Sequence, residues 1–386
     1  MKLSSILLLP ALLRSGLAYT ELSDDTLRTL PRPGPDFDIK NGALLAPILR
    51  TRVPGTPGSE AVLDHFIDFF TAELPRWRIT FQNSSQVTPV SNGKAVPFKN
   101  LIATRDPPWA KNEGDVGRLA LVAHYDSKLT PEGFIGATDS AAPCAMLMHA
   151  ARSIDAALTS KWDAIAAEGV ESIDGLDEDA HKGVQILLLD GEEAFHFWTH
   201  DDSLYGARSL AEEWEGTMNA AMSTYKTPLH SIDLFVLLDL LGAKQPRIPS
   251  YFKTTHWAYK RMASAEHRLR KASLLKSDGK SFFPEAQKGE KDQWLGGYVE
   301  DDHVPFMARG VEVLHVIPNP FPSVWHKIED DGEHLDIPTC EDWAVITTAF
   351  AAEWLDLEGH FETKQTKRSI HEDNETWAGE KTELFD

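Results

Sequence analysis

An α/β sandwich, a single domain whose mixed, mostly parallel central β-sheet carries helices on both faces, is the fold class this sequence predicts. Short apolar runs dense in Val, Ile and Leu alternate with segments of helical periodicity. Polar residues able to ligate metals or move protons come directly after the runs, where loops leave the carboxyl ends of strands in open α/β sheets.

In chain order, residues 1–18 read as a signal peptide: Lys2 precedes a short apolar run, Arg14 interrupts it, and Gly16 to Ala18 supplies small residues for cleavage. Residues 19–41 are polar and Pro-rich and read as an N-terminal arm, so the folded body is expected to span 42–358. Ser59 is the expected N-cap of a helix whose Val62, Phe66, Phe69, Phe70 and Leu74 share a face, and Pro75 ends it. Strands are expected at 78–81, 101–104, 119–123, 184–189, 232–238 and 311–317, the later four apolar enough to be covered on both faces. Helices are expected near 140–153, 204–215, 256–272 and 341–356; in the last, Trp343, Ile346, Phe350, Trp354 and Leu357 step by three or four. The acidic stretch 162–182 reads as a surface loop of unknown role, and 359–386 as a charged, mobile tail.

Composition narrows the function classes. With 38 basic and 59 acidic residues the formal charge is −21, which argues against a nucleic-acid partner. Beyond the leader no segment approaches the apolar length of a membrane span, so the mature form is expected to be secreted and soluble. The sequons at Asn83 and Asn374 agree with that route. Two cysteines, Cys144 and Cys340, cannot form a disulfide framework.

The chemistry concentrates in two segments, Asp190-Gly-Glu-Glu-Ala-Phe-His-Phe-Trp198 and Pro320-Phe-Pro-Ser-Val-Trp-His326. Each joins metal-ligating groups to bulky aromatics, as in a metal site walled by an organic pocket. Glu192 and Glu193 are adjacent, so one can ligate while its neighbour stays free to carry a proton. His124-Tyr-Asp126, Gly136-Ala-Thr-Asp-Ser140, Asp239 and His326 also follow expected strands, which points to one shared site.

These segments resemble the zinc-dependent glutaminyl cyclases, relatives of the co-catalytic zinc aminopeptidases. The likeness runs through Leu45-Ala-Pro-Ile-Leu49, Val53-Pro-Gly-Thr-Pro-Gly-Ser59, Ala123-His-Tyr-Asp-Ser-Lys128, Gly136 to Ser140, Asp190 to Phe195, Asp202-Ser-Leu-Tyr-Gly206, Leu237-Leu-Asp-Leu-Leu-Gly-Ala243, Gly297-Tyr-Val-Glu-Asp-Asp-His-Val-Pro-Phe306 and Val313 to His326. It implies the zinc aminopeptidase-like sandwich, and one zinc ion per chain held by Asp139, Glu193 and His326, with the fourth position open. It further implies cyclisation of N-terminal glutamine, in peptides and proteins, to pyroglutamate with loss of ammonia. Glu192 then moves the proton, Asp239 and Asp301 hydrogen-bond each other and the reacting amide, and Trp198, Phe321 and Trp325 wall the pocket. A monomer is expected.

Two departures stand out. Family members commonly carry a cysteine at position 123 bonded to the one at 144, whereas Ala123 stands here; the family's usual glutamine at position 300, which contacts substrate through its backbone, is Glu300. A two-zinc aminopeptidase is the alternative, because His124 and Asp239 occupy the second-metal positions of those relatives. A non-catalytic peptide-binding module is the remote one.

Overall fold

The computed structural model describes residues 20–168, 182–289, 291–292, 294 and 299–362. Six strands, β1 (Arg78–Val87), β2 (Ala95–Arg105), β3 (Arg118–His124), β4 (Gly183–Leu189), β5 (Ile232–Leu238) and β6 (Val313–Val316), form one sheet in the order β1-β2-β4-β3-β5-β6. The β4, β3, β5 and β6 neighbours pair in parallel, and the β1-β2 hairpin adds an antiparallel edge. The mixed, mostly parallel sheet of the expected sandwich is therefore present. The hairpin strands β1 and β2 extend well past the apolar runs at 78–81 and 101–104, because the exposed face of the hairpin is polar.

Alternation along the central strands divides the core. Leu119, Leu121 and Ala123 of β3, Val184, Ile186 and Leu188 of β4, and Leu234, Val236 and Leu238 of β5 join one apolar cluster with residues of α2 (Pro57–Glu73), α3 (Ala142–Ala167), α5 (His256–Lys271) and α7 (Ile337–Trp354). The intervening Ala120, Val122, Leu187, Leu189, Phe235 and Leu237 face the opposite side, under α4 (Tyr205–Gly216) and beside Phe306 of the short α6 (Val304–Met307). Both faces are buried, which is why the strands read as unbroken apolar runs.

Several boundaries differ from the sequence expectations, each for a local reason. The N-cap of α2 is Thr56, whose side chain accepts from the Ser59 amide while Pro57 occupies the first turn. Helix α3 continues to Ala167, because Ile154, Leu158 and Trp162 extend its buried stripe; Trp162, placed in the acidic loop by composition, is 1% exposed with the Arg105 guanidinium over its ring. The remainder of that segment, 169–181, lies outside the described residues, as do 1–19, Asn374 and the tail from 363. Asn83 is exposed on β1.

The segment before Gly42 is not an extended arm. It forms α1 (Asp24–Thr29), capped by Ser23, and sends Leu22, Leu27, Leu30 and Phe37 into the core. Its backbone is fastened by polar bonds: the Leu22 amide donates to Glu353 of α7, and Arg268 of α5 donates to the Leu22 carbonyl while pairing with Glu353. A single short helix with four scattered apolar residues offers too little periodicity to read. Leu27→Ala should therefore lower stability by about 2–5 kcal/mol, measured as a shift in the denaturant midpoint; an unchanged midpoint would show that this segment contributes no core.

Candidate metal and active site

The site is built where β3, β4, β5 and β6 end. The last residue of β3 is His124, and Asp126 just beyond it accepts hydrogen bonds from the Glu192 and Glu193 amides at 3.0 and 3.1 Å. One buried carboxylate thus clamps the turn after β4 to the end of β3. Gly191 makes that turn possible: its φ is +75°, and a Cβ would meet the Phe98 ring at 2.4 Å. The loop opening α3 is gathered by Arg52, which is fully buried and donates to the backbone carbonyls of Tyr125, Ile135, Gly136 and Asp139.

These supports bring Asp139, Glu193 and His326 together. Each carboxylate has one oxygen satisfied: Asp139 Oδ1 lies 3.0 Å from His124 Nε2, and Glu193 Oε2 accepts from Lys128 Nζ at 3.0 Å. The other two, Asp139 Oδ2 and Glu193 Oε1, are buried without a hydrogen-bond partner, and His326 Nε2 stands 3.6 Å from each. Bare anionic oxygens converging with an imidazole nitrogen are costly unless a cation joins them. The donors, two carboxylate oxygens and one nitrogen, are of the type that holds a catalytic divalent ion. His326 sits at φ +55°, a strained conformation for a non-glycine residue, braced by Trp325 stacked at 3.9 Å and Phe134 edge-on.

A second cluster, His124, Asp139 and Asp239, is arranged differently. His124 lies between Asp126, Asp139 and Asp239; burial pulls its pKa down, but those three carboxylates prevail and hold it well above the usual histidine range. Both ring nitrogens of this histidine are thus engaged by carboxylates within the cluster. Asp239 Oδ1 additionally accepts from the Ser140 hydroxyl and from the Leu240 amide at 2.7 Å.

Glu192 is 7% exposed and lines a cavity of 480 Å3 with Asp139, Asp239, Trp198, Glu300, Phe321, Trp325 and His326. Burial, followed by the charges of Glu193, Asp301 and Asp302, pushes its pKa well above the usual carboxylate range despite nearby His124. Phe321 and Trp325 meet edge to face at 4.8 Å, and Trp198 Nε1 donates to Glu300 Oε2 at 2.8 Å. Asp301 stands apart from these wall residues. It is 1% exposed, and it binds His315 Nε2 at 2.7 Å and the Asp302 amide at 2.6 Å. Its pKa is raised by burial and by the charge of Asp239, against the hydrogen bond from His315.

Arg52, Lys128 and His315 escaped the sequence reading. A histidine inside the apolar run Val313-Leu-His-Val316 was a usable signal; nothing local marks Arg52 or Lys128. Cys144 and Cys340 are both buried and free, and Cys144 donates to the His124 carbonyl, its thiol pushed up to about 12 by burial.

The family model for peptidase family M28 matches residues 100–351. The chain is 37% identical over 319 residues to the glutaminyl-peptide cyclotransferase of Bos taurus, covering 81% of each chain. To that of Bothrops jararaca it is 38% identical over 322 residues, covering 81% of this chain and 80% of the relative. The chain belongs to peptidase family M28 and, within it, to the glutaminyl-peptide cyclotransferases. Among solved structures, Macrostomum lignano glutaminyl cyclase superposes with a TM-score of 0.70 at 31% identity, covering 88% of this chain and 98% of that one. Against these cyclotransferases the fold class is as expected, and among the described residues no helix is long and apolar enough to cross a membrane.

Lys128 is the cation that holds Glu193 with one oxygen turned toward His326. Lys128→Met should weaken zinc binding by about 10–100-fold, measured by titrating zinc into the apo chain, with circular dichroism unchanged. Equal affinity would mean that Glu193 needs no such partner.

Proposed function

We propose that this chain cyclises N-terminal glutamine of peptides and proteins to pyroglutamate, releasing ammonia, with one zinc ion held by Asp139, Glu193 and His326. The observation that carries the reading is the pair of partnerless buried oxygens on Asp139 and Glu193, facing His326 Nε2 inside an aromatic-walled cavity. When bound there, zinc supplies a Lewis acid for the γ-carbonyl oxygen of the substrate.

The chain's residues then have distinct work. The cavity of 480 Å3 suits a single side chain with its α-amine, and Trp198, Phe321 and Trp325 press that residue into the folded shape in which its own nitrogen meets its amide carbon. The bond from the α-nitrogen to the amide carbon forms, and the bond to the amide nitrogen breaks. Glu192 takes the proton from the attacking amine and returns it to the departing nitrogen, which leaves as ammonia. Its raised pKa suits both halves of that task, since a stronger base accepts the proton and a carboxylic acid of higher pKa persists long enough to return it. Asp239, on the cavity wall, orients the amide. Asp301, held by His315 and close to Asp239, partners Asp239 in orienting the amide. Glu300 contributes its backbone at the entrance.

The cluster of His124, Asp139 and Asp239 favours a second reading, a two-zinc aminopeptidase. Its histidine, however, is bonded to carboxylates on both ring nitrogens, so a second ion would have to displace that proton. Metal analysis of the purified chain should return one zinc rather than two, and a Gln-initiated peptide should lose the mass of one ammonia in a chelator-sensitive manner. Release of free amino acids by a two-zinc form would replace the cyclase reading.

Glu192→Gln should keep the zinc and lose about 10²–10⁴ of turnover; near-normal turnover would remove Glu192 from the mechanism. In the intact enzyme kcat/KM should fall on acidification in two steps, as the substrate amine and the raised Glu192 each gain a proton. The Glu192 step should be absent from the residual activity of Glu192→Gln.

A further inference from the structure

The mouth of the cavity carries chemistry that a glutamine side chain does not use. Among the charged residues that line it, Asp139, Glu192 and Asp239 are buried, and Lys128 is paired with Glu193. Glu300 is the exposed one. Its Oε2 is fixed by the indole N–H of Trp198 at 2.8 Å, and it forms no ion pair among the described residues, so Oε1 remains available at the rim. Beside it stand exposed aromatic faces: Phe197 is 68% exposed, Trp198 37% and Trp325 38%. Aromatic faces of that size on a soluble protein, next to a carboxylate held in place, match a guanidinium or ammonium group, which takes a charge-assisted hydrogen bond on one side and a π-face on the other.

We propose, resting on the cyclisation reading above, that this rim is a subsite for a cationic side chain, Arg or Lys, carried by the substrate immediately after its N-terminal glutamine. An acidic residue there would meet Glu300 at close range and approach a chain of charge −21. Beyond Phe321 a separate cavity of 550 Å3 is lined by Lys244 and Arg247, which would favour the opposite charge. Glu300 lies on the wall of the reactive cavity itself, whereas those two reach the mouth only across Phe321, so screening by salt favours the nearer group.

The test uses the zinc-loaded enzyme with three tripeptides, Gln-Arg-Gly, Gln-Ala-Gly and Gln-Glu-Gly, read as kcat/KM for ammonia release at low and high salt. The Arg peptide should exceed the Glu peptide by about tenfold, with the Ala peptide between them and the ratio shrinking as salt is raised. Glu300→Gln removes the charge yet keeps an oxygen able to accept from Trp198, and should bring the ratio to about one whatever it does to the absolute rates. A ratio near one in the unmodified enzyme, a preference for the Glu peptide, or a preference that survives Glu300→Gln would each overturn the subsite. Absence of ammonia from all three peptides would instead remove the reaction itself, and the subsite with it.

Discussion

An excess of buried negative charge is the constraint to which the rest of this molecule answers. Asp126, Asp139, Glu192, Glu193, Asp239, Asp301 and Asp302 are all 7% exposed or less, and they crowd the carboxyl ends of four neighbouring strands. Each buried carboxylate loses hydration worth several kcal/mol unless it gains partners. Part of the answer is internal: His124 lies among three of them, Lys128 pairs with one face of Glu193, His315 binds Asp301, and Arg52 lies buried close to Asp126 and Asp139. What remains after these pairings is the bare edge formed by Asp139 Oδ2 and Glu193 Oε1. Burial and the same crowding of carboxylates also lift the pKa of Glu192.

That crowding is tolerable because the sheet beneath it is rigid and the loops above it are tied to one another. The Asp126 carboxylate fixes the turn after β4, Arg52 gathers the carbonyls before α3, and Asp330 accepts from both the amide and the hydroxyl of Thr138 next to Asp139. Asp202 does the same for the aromatic side of the cavity, accepting from the amides of Phe195, His196 and Phe197 just before Trp198. Carboxylates therefore serve twice here, as reacting groups pointing into the cavity and as acceptors that sew the loops together. Only their partners distinguish the two uses.

This duality governs what could be read from the sequence. The sheet was legible because two-sided burial imposes unbroken apolar runs, and Asp139, Glu193 and His326 could be named as candidates because they lie in recognisable motifs on the loops that come after strands. The segment before Gly42, the reach of α3 to Ala167 and the cap at Thr56 were not, since each depends on what the chain packs against rather than on local period. Arg52 is the extreme case. An arginine between polar neighbours reads as solvated, and nothing short of the three-dimensional meeting of residues 125, 135, 136 and 139 reveals that it is buried.

The adjacent glutamates show how finely the partners decide. Glu192 and Glu193 share a turn, their amides bind the same Asp126 carboxylate, and both side chains are nearly buried. Glu193 meets the Lys128 ammonium, which keeps one oxygen occupied and turns the other to His326. Glu192 has no such cation; it faces the cavity among Glu193, Asp301 and Asp302, with His124 as its counterweight. One glutamate thereby has an oxygen turned toward His326, while its neighbour stays open to the cavity. The two roles proposed for this pair, ligand and base, therefore rest on the residues around them, since the glutamates themselves are chemically identical.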